Sequence, residues 1–182
     1  MKKFILSRRD FLRTTGVVAT SIILPRQVIA CLGRIKKPIE LGMIADLHQD
    51  IIHDGPARLK AFLDAMKEEK PDALLQLGDF AYPTKKNDVV TKAFEKAHPR
   101  TLHVLGNHEI DGGHSFDKVA KLWGMTGRYY TENIGGLDLV VLDANEKPKN
   151  HKGGYPAHIG KKQLEWLAKQ LKSLEGPILV IS

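Results

Sequence analysis

Leu41-Gly42-Met43-Ile44-Ala45-Asp46-Leu47-His48 sets a plan that Ala73-Leu74-Leu75-Gln76-Leu77-Gly78-Asp79 and Thr101-Leu102-His103-Val104-Leu105-Gly106-Asn107-His108-Glu109 repeat. Each is a short apolar run that ends in polar side chains able to bind a metal. Apolar runs of this length, bounded by turn-forming residues, read as buried strands. Segments of helical period separate them. The first begins at Pro56, where a missing N–H costs nothing, puts Leu59, Phe62, Leu63 and Met66 on one face and stops at Pro71. The second runs near Asp88 to Ala97, with Val89, Val90, Ala93, Phe94 and Ala97 as its inward side. Two βα units and a third strand predict an α/β domain.

Downstream, a short helix is expected around Phe116 to Trp123, then strands Arg128 to Glu132 and Gly136 to Asp143 joined by a turn at Asn133 to Gly136. A loop rich in Lys, Gly and Pro follows. The last helix is expected from Lys161 to Leu174, with Leu164, Leu167, Ala168 and Leu171 inward, and Gly176-Pro177 stops it before a strand at Ile178 to Ile181. No internal repeat or low-complexity tract interrupts the order.

The chain of 182 residues carries a formal charge of +7, which would suit nucleic acid if it were spread over one face. It is not. Lys2, Lys3, Arg8, Arg9, Arg13 and Arg26 precede residue 31, so beyond it 22 basic residues face 20 acidic ones. The nearly neutral body gives no case for a nucleic-acid surface.

That charged start reads as an address. Ser7-Arg8-Arg9-Asp10-Phe11-Leu12, followed by the uncharged stretch Thr14 to Pro25, resembles a twin-arginine export signal, and the stretch is too short to span a membrane. Cys31, the single cysteine, follows Val28-Ile29-Ala30 and so resembles a lipobox cysteine. Cleavage after Ala30 to a soluble product fits the same residues. The expected organisation is a signal peptide over 1–30, a tether over 31–40 and a folded domain over 41–182. The product would be exported by the twin-arginine machinery across a bacterial cytoplasmic membrane and be periplasmic, or lipid-anchored through Cys31.

Asp46-Leu47-His48, Gly78-Asp79 and Gly106-Asn107-His108-Glu109 each close a strand, and all fall at one end of the sheet, where α/β folds form their sites. Carboxylate, imidazole and amide oxygen together suit a divalent ion of the Mn, Fe or Zn class. Asp46 and His48 can reach one metal if the strand ends in an irregular turn. Gly78 and Gly106 allow close backbone approach just before Asp79 and Asn107.

The order D-x-H, QLGD, GNHE resembles the calcineurin-like metallophosphoesterase family over residues 41 to 182. The resemblance implies an αββα sandwich and a centre of two divalent metal ions that hydrolyses a phosphate monoester or diester with a metal-activated hydroxide. It implies that Asp46 and His48 hold the first metal, Asp79 bridges both, Asn107 binds the second, and His108 stands as general acid beside the leaving group. Glu109 would orient its neighbours. The family's later histidine motifs, a Gly-His or Ser-His and a Gly-His-x-His, do not occur in the sequence, so a truncated fold with an incomplete second sheet and poor solubility is expected. A non-catalytic envelope lipoprotein with at most one weak metal site is the rival reading. Asp50, His53, Asp54 and His114 are candidates for the site's surroundings, and Tyr129, Tyr130, Glu132 and the loop from Lys147 to His151 for a pocket.

Overall fold

The computed structural model describes residues 35–182; the stretch read as export signal and tether cysteine lies outside them. Strand β1 (Leu41–Ile44), helix α1 (Gly55–Glu69), strand β2 (Ala73–Gln76), helix α2 (Asp88–Ala97) and strand β3 (Thr101–His103) form the first half. Helix α3 (Phe116–Leu122), strands β4 (Tyr130–Ile134) and β5 (Leu137–Val141), helix α4 (Lys161–Ser173) and strand β6 (Ile178–Ile181) form the second.

β1, β2 and β3 make a parallel sheet in that order, with β2 central and every one of its residues buried. Such a strand needs an apolar run on both faces, which Ala73-Leu74-Leu75 supplies. Successive side chains point to opposite sides. Leu74 accordingly joins Leu59, Phe94 and Val119 in a core beneath the helices, while Ala73 and Leu75 join Tyr130, Ile134, Leu139 and Val141 in a core between the sheets. The second sheet runs β4-β5-β6, with β4 antiparallel and β6 parallel to β5. The result is a mixed α/β fold of two small facing sheets with helices over the first, consistent with the truncated αββα sandwich that the resemblance implies.

Three local expectations are corrected. The hairpin pairs Tyr130 to Ile134 with Leu137 to Val141, two residues later at its first strand than expected, because Gly135 and Gly136 both take positive φ and make a two-residue turn. Val89 is exposed on α2, whereas Thr91 is buried and donates its hydroxyl to the Asn87 carbonyl. On α4 the buried residue is Gln163. Its amide donates to the Asp143 carbonyl at 2.9 Å and Glu146 at 2.7 Å and accepts from the Asp143 N–H at 2.8 Å. Three such bonds satisfy a buried amide. Leu164 and Leu171 therefore stay exposed.

Candidate metal centre

The segments leaving β1 and β2 bind one another after the strands have ended. Asp46 N–H donates to the Gly78 carbonyl, His48 N–H to Asp79 and Gln49 N–H to Phe80. To make this ladder the chain turns sharply, and Asp46, His48 and Asp79 adopt φ of 55°, 48° and 53°. Only Lys70, which caps α1, shares that left-handed conformation among the described non-glycine residues. Strain of this kind persists where surrounding structure enforces it and gathers at functional sites. Arg58 of α1 enforces it here, donating to the carbonyls of Asp46 and Leu47 while its Nε holds Asp54 at 2.8 Å. The irregular turn required to bring Asp46 and His48 together is present.

His48 Nε2 lies 3.3 Å from Asp46 Oδ1 and 3.9 Å from Asp79 Oδ2. Asp79 Oδ1 accepts the His108 backbone N–H at 2.9 Å, which leaves Oδ2 turned to His48. The His48 and His108 rings meet edge to face at 4.9 Å between centroids. One ligand atom from each of His48, Asp79 and His108 falls within 4.8 Å of the others. Asp46, Asp79 and Asn107 line a cavity of about 280 Å³ together with Asn145 and Tyr155. Asp46, Asp79 and Asn107 thus face the cavity while His48, Asp79 and His108 form a cluster beside it, with Asp79 common to both.

The glycines and Glu109 explain how the loops come so close. A Cβ on Gly106 would strike the backbone nitrogen and carboxylate of Asp79, and one on Gly78 would strike the backbone of Gly106. Fully buried Glu109 accepts the Phe80 N–H through Oε1 at 2.6 Å. Burial pushes its carboxyl up to about 7. Glu109 therefore ties the third loop to the second.

Asp50 lines the hollow beside His48, Asp79 and His108, and is held there by the Tyr82 N–H and the Asn87 amide and by Lys86 at 3.0 Å. Other expectations resolve differently. Tyr130 is buried, its hydroxyl accepting from the His103 N–H and donating to the His103 carbonyl, and Tyr129 packs at a tilt against Trp166, so neither shapes the cavity. His114 neighbours Tyr82 and Lys118 and lines a separate hollow with Arg128 and Lys147. Asp111, Asn145, Tyr155 and Arg58 went unnoticed in the sequence. Nothing near Tyr155 marks it, whereas Asp111, three residues beyond His108 in a 3-10 turn, was within reach of a local argument.

The donor set fits a divalent metal. Asp79, His48 and His108 bring ligand atoms within 4.8 Å of one another, Asp46 and Asn107 stand with Asp79 at the cavity wall, and His48 Nδ1 is buried with no hydrogen-bond partner. The calcineurin-like phosphoesterase family profile matches residues 40–181. The chain belongs to the calcineurin-like phosphoesterase family. Among solved structures, a dimetal phosphatase from Danio rerio is similar in fold, with a TM-score of 0.61 at 16% identity over 79% of this chain and 69% of that one. No curated protein matches the chain in sequence. The phosphoesterase domain so defined coincides with the strands and loops that build the site.

Proposed function

We propose that the chain hydrolyses a phosphate monoester or diester at a centre of two divalent ions held by Asp46, His48, Asp79 and Asn107, with His108 as general acid. The observation that carries this reading is the meeting of three strand-end loops, two of them in strained backbone, at one cavity. Ions bound there would supply a Lewis acid for the phosphoryl oxygens and a water of lowered pKa. The residues do the rest. Asp79, with one oxygen fixed by the His108 N–H, offers the other toward His48. Asn107 contributes a neutral oxygen at the cavity wall. His108, whose Nδ1 is taken by Asp111, has Nε2 left to protonate the departing oxygen.

Titration of the full chain with Mn²⁺ by calorimetry, beside hydrolysis of p-nitrophenyl phosphate and its diester, tests the reading. Two ions bound, and turnover abolished in Asp79→Asn, are expected. A single weakly bound ion without turnover would favour the non-catalytic reading, to which the compact His48, Asp79 and His108 group lends support. Absence of binding would overturn the two-ion reading and leave the non-catalytic one, which allows at most one weak site.

The arginine pair Arg8-Arg9 supports export through the twin-arginine route and Cys31 supports a lipid tether, with cleavage after Ala30 as the alternative. Under this proposal residues 1–30 are the address, 31–40 the tether and 41–182 the enzyme. Retention of an Arg8→Lys, Arg9→Lys double variant in the cytoplasm, with the parent chain exported, would bear it out; equal export of both would not.

A further inference from the structure

The cavity has a wall that none of the strand-end loops builds. Residues 146–158 form a strap closed at its base by the pairing of Asn145 with His158, where the His158 N–H donates to Ala144 and the Glu146 N–H to His158. Asn145 Nδ2 fastens this base to the Leu105 carbonyl at 2.7 Å, and Gln163 holds Glu146. Gly153 and Gly154, with φ of 118° and 76°, turn the strap back. Tyr155, Pro156 and Ala157 come next, and all three line the cavity.

Tyr155 brings the only aromatic ring among the described residues of that lining. Its hydroxyl is tied to Asp111 at 3.1 Å, and its ring tilts against the His108 imidazole at 5.0 Å between centroids. Held on two sides, the side chain still stays 53% exposed. A large ring fixed in this way loses little freedom when a second group packs on it. The remaining lining says what that group is. Pro156, Ala157, Ala144, Leu77 and Leu105 extend the apolar surface, and no lysine or arginine stands among the described residues there. Arg128 and Lys147 lie in the separate hollow beyond Asn145, and Arg128 is taken by Asp143. A second phosphate or a carboxylate on the leaving group would find no cationic side chain in the cavity, whereas an uncharged ring would find apolar contact.

We propose that Tyr155, backed by Pro156 and Ala157, is a platform for the leaving group that makes the site selective for phosphate esters of uncharged aromatic alcohols. This rests on the phosphoester reading above: the departing oxygen stands at His108, and the group it carries then lies against Tyr155. Contact between two aromatic rings adds about two- to tenfold in binding beyond the area it buries.

Benzyl and ethyl phosphate release alcohols of similar basicity, so the ratio of kcat/KM on the first to that on the second isolates the ring. It should fall about fivefold in Tyr155→Ala and return in Tyr155→Phe, which keeps the ring without the hydroxyl. A ratio unmoved in Tyr155→Ala, or not restored in Tyr155→Phe, overturns the proposal. So does a lower KM for 4-carboxybenzyl phosphate than for benzyl phosphate, which would point to an anionic leaving group. The second readout needs neither metal nor turnover: saturation-transfer NMR of benzyl alcohol, the product, on the full chain without added metal. Transfer to its ring protons should drop in Tyr155→Ala and recover in Tyr155→Phe, and equal transfer in the parent chain and Tyr155→Ala overturns the platform. Should the parent chain hydrolyse neither ester, the phosphoester reading fails while the contact with benzyl alcohol still decides the role of Tyr155.

Discussion

Glu109 Oε1 and the Phe80 N–H, 29 residues apart, meet at 2.6 Å in a fully buried position and join two of the three loops that bear the candidate ligands. Removing the acceptor strands a buried N–H, which costs about 1–3 kcal/mol before any cavity is counted. Glu109→Ala should lose about 2–3 kcal/mol in urea unfolding. Glu109→Gln keeps an oxygen in place and removes a carboxylate that burial opposes, so it should stay within about 1 kcal/mol of the parent. Equal losses in the two variants would mean that the bond is not what holds the loops.

Arg58 reaches the same site from outside the ligand set, through the carbonyls of Asp46 and Leu47. Groups that orient metal ligands from behind typically account for about 10–100-fold in affinity. Arg58→Ala should weaken Mn²⁺ binding within that range, measured by calorimetry, and Asp79→Asn should weaken it further. Unchanged affinity in Arg58→Ala would show that the left-handed turn at Asp46 and His48 holds without it.

His103 gives the domain an acid limit. It is buried, stacked on Trp123, and its Nδ1 accepts from Gln76, whose Oε1 is taken by the Gly78 N–H and so fixes the amide's orientation. Burial lowers its pKa from 6.5 to about 4. Between those values the unfolded chain binds the proton and the folded one does not, so stability is complete above the unfolded pKa and declines as pH falls toward the folded one. The loss attributable to this residue approaches about 3 kcal/mol. Urea midpoints across that pH window should flatten in His103→Gln; an unaltered slope would assign the acid limb to other groups.

Lys70 caps α1 at a φ of 52°, a conformation that glycine takes freely. Lys70→Gly should raise stability by about 0.5–1 kcal/mol without altering Mn²⁺ affinity. A lowered melting temperature would show that the lysine side chain contributes more than its backbone strain removes.

The sequence by itself determined the strands, the helices between them and the end of the sheet at which the chemistry gathers. Those features are local: an apolar run of strand length, a helical period and a glycine before a polar residue are each written in a few consecutive letters. Asp46, His48, Asp79, Asn107 and His108 were legible for that reason, since parallel strands put their carboxyl ends side by side. The tertiary structure decided what depends on distant partners. Leu164 and Leu171 look inward by period, yet α4 docks through the hydrogen bonds of Gln163, which no periodicity reports. Asp50 reads as a neighbour of the site, yet the hold of Tyr82 and Asn87 on its carboxylate depends on residues 32 and 37 positions away. Tyr155 stands 44 residues from Asp111 in a strap whose course is set by a base tied at Asn145 and His158. A side chain's neighbours across such a separation follow from how the whole chain packs, and only the folded structure brings that hydroxyl to His108.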